Sequence, residues 1–196
     1  MVADLKEKGY NVLATGEMGI GNTTTSSAVC SVLLDQSVEK VTGKGAGLTN
    51  KDLEHKIEVI RQSIALNKVN ADDPLDVLAK VGGLDIAGMA GCYIGGAALN
   101  IPVFIDGFIS SVAALIAIRL VPECAPYLFP SHCSNEPAGR MILDAIGKQP
   151  YILANMCLGE GTGAVMGFTI ADYAFKAYWE LPSFEQTNFG TYEELN

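Results

Sequence analysis

The chain has 196 residues, 49% of them hydrophobic and 18% charged, with a net charge of −9. That is enough apolar material for one α/β domain with a real core, and it excludes a disordered chain. The acidic balance, with no run of Lys or Arg, excludes an electrostatic nucleic-acid binder. Five scattered cysteines (Cys30, Cys92, Cys124, Cys133 and Cys157) form no C-x-x-C pair. Their pattern suits reduced thiols in a cytoplasmic protein rather than a disulfide framework or a structural zinc site.

Residues 2–8 read as the tail of a helix ended by Gly9, and MVADLKEKGYNV is too charged for a signal peptide. Tyr10–Thr15 reads as a buried strand, followed by the glycine loop GEMGIGN and a helix over Thr23–Leu34. Val41–Leu48 is a glycine-rich loop. Thr49 or Asn50 then caps a helix over Lys51–Asn67, with Leu53, Ile57, Ile60 and Ile64 on one face. Asp72–Val81 reads as a short helix with Pro74 in its first turn, and VGGLD as a turn into a small-residue helix over Ile86–Leu99.

Ile101–Val121 is long enough to cross a membrane, but Asp106, Gly107 and Arg119 interrupt it. A strand at Ile101–Ile105, a turn and a helix over Ile109–Leu120 explain it better, so no membrane span is expected. Tyr127–Phe129 reads as a strand. Ser134 or Asn135 should cap a helix over Ala138–Ile146. Tyr151–Ala154 leads to LGEGTG, a last helix over Ala164–Leu181 and a polar tail. Strands alternating with helices predict a Rossmann-like, three-layer α/β domain whose mostly parallel sheet is flanked by helices. Residues 1–196 form a single domain in this reading. The ligand site then lies at the carboxyl ends of the strands.

Gly16–Thr23 matches the nucleotide-triphosphate loop except at one position: Asn22 stands where the lysine should be. Without that lysine, and with Glu17 inside the loop, polyphosphate binding and NTP hydrolysis are disfavoured. Backbone N–H groups and a helix N-terminus can still hold one phosphate. The plain alternative is a tight turn into a packed helix. Three glycines and three threonines there favour the cradle.

LGEGTG frames Glu160 with glycines, so its carboxylate can approach a ligand closely. Beside an apolar wall a glutamate has a raised pKa and can act as a general base; a solvated turn glutamate is the alternative. Asp85 and Asp106 could bind ribose hydroxyls or equally cap helices. Ser134 could donate to a phosphate or serve as an N-cap. Lys56 and Lys44 could balance a phosphate charge or lie solvated on a polar face. His132 and Cys133 are adjacent, and His55 sits on a charged helix, so no metal-ligand cluster is expected.

The motifs GEMGIGNTTT, GLTNKDLEHK, VGGLDIAGMAG, VFIDGFISS, SHCSNEPAG and LGEGTGAV, in this order, closely resemble the nicotinate-nucleotide-dimethylbenzimidazole phosphoribosyltransferase family. The resemblance runs from about residue 10 to 185. It implies transfer of phosphoribose from nicotinate mononucleotide to 5,6-dimethylbenzimidazole, giving α-ribazole 5′-phosphate and nicotinate in cobalamin lower-ligand assembly. No cofactor and no metal are implied.

By the same resemblance Glu160 is the general base, and Leu158 walls the aromatic base. Glu17 is a second, electrostatic carboxylate. Gly19, Ile20, Gly21 and Thr23 cradle the 5′-phosphate with Lys56 and Ser134. Asp85 and Asp106 hold the ribose side. A β donor giving an α product implies attack opposite the leaving nicotinate, without a covalent enzyme intermediate. Family members are longer on the N-terminal side, so this chain reads as their C-terminal portion, with the N-terminal part of the family fold missing. Residues 164–196 are a candidate contribution to a small helical subdomain. A homodimer is expected to cover apolar surface left bare by the missing portion.

Overall fold

The computed structural model of the protein describes residues 1–187. The end of the expected polar tail, 188–196, lies outside the described residues. Three short strands, β1 (Leu13–Ala14), β2 (Val103–Ile105) and β3 (Leu128–Pro130), pair in the order β1-β2-β3, all parallel. Leu13 pairs with Val103 and Phe104 with Phe129. A single parallel bridge joins His132 to Ile152 in the segment that leads to LGEGTG.

Alternation along β2 sorts the layers. Val103 points toward α6 (Leu84–Ala98), where a Cβ on Gly96 would lie 2.5 Å from its methyl. Phe104 points the other way, toward α9 (Thr162–Glu180), with its ring centroid 5.0 Å from that of Phe168. A Cβ on Gly167 would come within 2.7 Å of the Phe104 ring, so glycine at that turn lets α9 lie close on the sheet. The result is the expected three layers: α9 on one face, and α6 with α7 (Phe108–Leu120) on the other.

The core lies on the α6/α7 side. Val29, Ile60, Val77, Ile86, Tyr93 and Ile116 are among its buried members. α2 (Asn22–Leu34), α4 (Asn50–Asn67) and α5 (Pro74–Val81) complete it beside α8 (Gly139–Ala145). A further turn of helix, α3 (Val38–Val41), precedes the glycine loop. Two caps follow the local sequence: Thr49 accepts from Asp52 N at 3.2 Å, and Asp73 accepts from Leu75 N at 2.9 Å. The apolar run at 101–121 resolves into β2, the Asp106–Gly107 turn and α7. Among the described residues no helix is long and apolar enough to cross a membrane.

Three local expectations are corrected. The strand expected over Tyr10–Thr15 shrinks to two residues and is not buried: among the described residues β2 is its only partner, leaving Ala14 and Tyr10 exposed at the sheet edge. Neither Ser134 nor Asn135 caps α8, which starts after Ala138; Ser134 Oγ accepts from Glu136 N at 3.3 Å in a local turn instead. The last helix starts at Thr162, two residues early, because its cap comes from outside the segment.

Candidate active site

Two glycine loops meet at the carboxyl-end side of the sheet. The first, Gly16–Gly21, joins β1 to α2; Gly19 (φ 76°) and Gly21 (φ 79°) are left-handed, a conformation that side chains with a Cβ rarely adopt. The second, Leu158–Gly161, leads into α9. Its Gly159, Glu160 and Gly161 are all left-handed, with φ of 75°, 56° and 79°. A non-glycine residue held there stores local strain, which is tolerated only where surrounding contacts enforce it.

Those contacts are visible. Asp106, 0% exposed, ends β2 and turns its carboxylate onto the first turn of α9. It accepts from Gly161 N (2.9 Å), Gly163 N (2.7 Å) and Ala164 N (3.2 Å), charge-assisted bonds at a helix N-terminus. Of the two roles open for Asp106, the structure shows the cap, with both carboxylate oxygens engaged by backbone N–H groups. Thr162 Oγ donates to Gly159 O at 2.7 Å and closes the turn. From the other side, a Cβ on Gly16 would lie 2.6 Å from Gly161 Cα, so the two backbones touch.

Beside Asp106 lies buried His132. Ser131 Oγ donates to Ile105 O at 2.7 Å, so His132 Nδ1, 3.1 Å away, supplies the proton of their bond. Burial lowers the pKa of this imidazole, and the Asp106 charge opposes that shift. Among the described residues no group of three or more His, Cys, Asp or Glu could hold a metal ion.

Glu17 folds back over its own loop. Its Oε2 accepts from Gly19 N at 2.5 Å and from Asn22 Nδ2 at 2.7 Å. Its Oε1 lies 3.0 Å from where a Cβ on Gly159 would be, so Glu17 sits against the Glu160 loop. Asn22 Nδ2 also donates to Asp85 Oδ2 at 3.0 Å, which brings Asp85 to the same end of the site. The cradle expected of Gly19 is therefore altered: its N–H is taken by Glu17. Ile20, 82% exposed, stands out from the loop.

The expected cationic end also assembles. Lys56, on α4 and 7% exposed, donates to Thr23 Oγ at 2.9 Å and to Gly43 O at 3.0 Å. It does not lie solvated on a polar face. Burial lowers its pKa and nearby Glu136 partly offsets this; the Glu136 carboxyl is in turn raised by burial, with Lys56 opposing. Glu136 packs on Gly43, where a Cβ would collide with its carboxylate. Ser134 lies in the same turn as Glu136. Lys44 is exposed and takes no part in this cluster.

Leu158, 67% exposed, and exposed Glu160 complete the second loop. The described residues thus provide no apolar wall over Glu160. A groove of about 880 Å³ runs from Glu17, Asn22 and Asp85 along the small-residue face of α6 at Gly88, Gly91 and Gly95. One end of the site therefore carries Lys56 with hydroxyls and the Glu136 carboxyl, and the other the Glu17 and Asp85 carboxylates. Such a pair of poles suits a phosphomonoester whose far end is cationic.

The family model described as phosphoribosyltransferase matches residues 1–189. The chain belongs to that phosphoribosyltransferase family. Its sequence is 53% identical over 195 residues to a nicotinate-nucleotide-dimethylbenzimidazole phosphoribosyltransferase of Ruminiclostridium cellulolyticum, covering 100% of this chain and 55% of the relative. The protein of that name from Acetivibrio thermocellus is 49% identical over 193 residues, covering 98% of this chain and 55% of its own. The crystal structure of CobT from Thermus thermophilus superposes with a TM-score of 0.88 at 33% identity, covering 94% of this chain and 55% of that one. The chain spans about half the length of these relatives.

Three residues at this site are given no site role by the sequence alone. Glu136 stands two residues from Ser134, but only the fold brings its loop to Lys56. His132 has no ligand cluster around it in the sequence and so gives no signal there. Asn22 stands out only for the lysine it replaces, although its place at the mouth of the motif is the available signal.

Proposed function

We propose that this chain carries the phosphoribosyl-transfer site of its family. In this reading it moves phosphoribose from nicotinate mononucleotide to 5,6-dimethylbenzimidazole, releasing nicotinate and forming α-ribazole 5′-phosphate. The observation that carries the proposal is the meeting of the two glycine loops. Gly16 abuts Gly161 and the Glu17 carboxylate reaches Gly159, while Lys56 and Thr23 stand at the far side of the first loop.

The phosphate sits at Thr23, Lys56 and the N–H groups of Ile20 and Gly21, with Ser134 beside Glu136. The ribose side faces Asp85. Glu17 and Asp85 face the pyridinium and the positive charge that develops at the anomeric carbon as its bond to nicotinate breaks. A benzimidazole nitrogen attacks the opposite face. The attacking nitrogen is the one without a proton, and the proton on the other ring nitrogen passes to Glu160, the general base, with Leu158 against the aromatic base. Asp106 acts indirectly by holding the Glu160 loop. Residues 1–196 are one domain in this proposal, working in the cytoplasm with reduced thiols. The exposed aromatic side chains of α9, Tyr173 on one side and Phe175, Tyr178 and Trp179 on the other, join a small helical subdomain and a homodimer.

A second reading is favoured by the exposure of Leu158 and Glu160: a mononucleotide-binding half-site that needs further chain to close over the acceptor base. Incubation with both substrates, followed by chromatography for nicotinate and ribazole phosphate, separates the two. Product that Glu160→Ala abolishes, with mononucleotide binding retained, supports the enzyme. Binding without product supports the half-site. Strong residual transfer in Glu160→Ala would refute the assigned base.

A further inference from the structure

We infer that Asn22 is a positioning residue that holds Glu17 and Asp85 side by side through one amide nitrogen and so makes this end of the site selective for a cationic ring. The inference rests on the mononucleotide reading and adds to it the reason for asparagine at this position.

Asn22 opens α2 and is 8% exposed, so its side chain has little freedom. Its Nδ2 donates to Glu17 Oε2 (2.7 Å) and Asp85 Oδ2 (3.0 Å). Carboxylates only accept, so the amide must turn its nitrogen toward both. The consequence appears on the opposite atom: Asn22 Oδ1 is buried and has no hydrogen-bond partner among the described residues. A buried acceptor left unpaired costs stability, and packing alone gives no reason to keep it. The arrangement instead serves the two carboxylates. Gly19 N adds a second donor to Glu17, fixing that side chain within the loop.

The charge of the donor matters as much as its geometry. A lysine here, as in triphosphate loops, would also bridge the two carboxylates but would cancel one of their charges. Asparagine provides the bridge and leaves the negative field intact. The groove that starts at Glu17, Asn22 and Asp85 is where that field opens to a ligand. Lys56, the phosphate's cation, lies across the first turn of α2 on Thr23 and does not neutralise the pair.

The test is titration calorimetry of the full chain with three probes: ribose 5-phosphate, oxidised nicotinamide mononucleotide, and its reduced, neutral-ring form. The last two differ chiefly by one ring charge. Wild type should bind the oxidised form about tenfold more tightly than the reduced one, as one charge beside two partly hydrated carboxylates implies. Asn22→Lys and Asn22→Leu should each shrink that ratio to about twofold or less. Ribose 5-phosphate affinity in Asn22→Leu should stay within about twofold of wild type, which also shows that the variant is folded. An unchanged ratio in both variants, or no preference in wild type, would overturn the role of Asn22 alone. Failure of wild type to bind any of the three would overturn the mononucleotide reading, and this inference with it.

Discussion

Asp106→Ala should be among the most damaging single changes outside the apolar core. The carboxylate is fully buried and receives three backbone N–H groups from the first turn of α9. Truncation leaves those donors facing the space where an anion was. An orphaned buried donor costs about 1–3 kcal/mol, and a lost N-cap about 0.5–2 kcal/mol. The terms overlap, because the first turn can fray and admit water, so the expected loss is about 3–4 kcal/mol. That is a large share of the roughly 5–15 kcal/mol that holds a domain together.

Urea unfolding followed by far-ultraviolet circular dichroism reads this loss directly. Amide exchange at Gly161, Gly163 and Ala164 should accelerate most, because their acceptor is gone. Asp106→Asn keeps the shape and one acceptor oxygen but turns an amide toward donors, so it should lose about half as much. A loss below about 0.5 kcal/mol in Asp106→Ala, with unchanged protection at those amides, would refute the cap as the support of this loop.

Gly16→Ala would drive a methyl into the Gly161 backbone, 2.6 Å from its Cα. It should cost about 1–3 kcal/mol, as overpacking does. It should also lower transfer more than ribose 5-phosphate binding, which steady-state kinetics and calorimetry would separate. Lys56→Met should weaken ribose 5-phosphate binding about 10- to 100-fold, the value of a charged hydrogen bond; unchanged affinity would remove Lys56 from the phosphate site. The Glu136 and Lys56 shifts have opposite consequences for pH. Glu136 is raised above 4.5 by burial, so the native state binds more protons than the unfolded one just above that pH. Its contribution therefore falls as pH rises through that window. Lys56 is lowered from 10.5, so the unfolded state binds more protons below that value and its contribution rises with pH there. Glu136→Gln should accordingly gain thermal stability over wild type as pH rises from about 4.5 toward neutrality, measured by calorimetric melting; a constant difference would show that burial of Glu136 carries no such cost.

Much of this protein can be read locally. Thr49 and Asp73 cap the helices that follow them, and Gly9, Gly19 and Gly21 take left-handed turns where the chain reverses or opens a helix. Each depends on neighbours within a few residues, so the local sequence contains the whole cause. The two glycine loops and their carboxylates were legible for the same reason. So was the position of Asp106 at the end of an apolar strand, though not which of its two roles it takes.

Tertiary structure decided the rest, through partners distant in the chain. Asp106 caps a helix 55 to 58 residues away, Asn22 reaches Asp85 across 63, and Lys56 reaches Thr23 across 33. β1 looks like a buried strand by composition, yet it lies at an edge because β2 is its sole strand neighbour among the described residues. Composition records how apolar a segment is, not how many neighbours will cover it. Likewise a side chain's type tells which bonds it can make, and only the folded backbone decides which donor stands within reach.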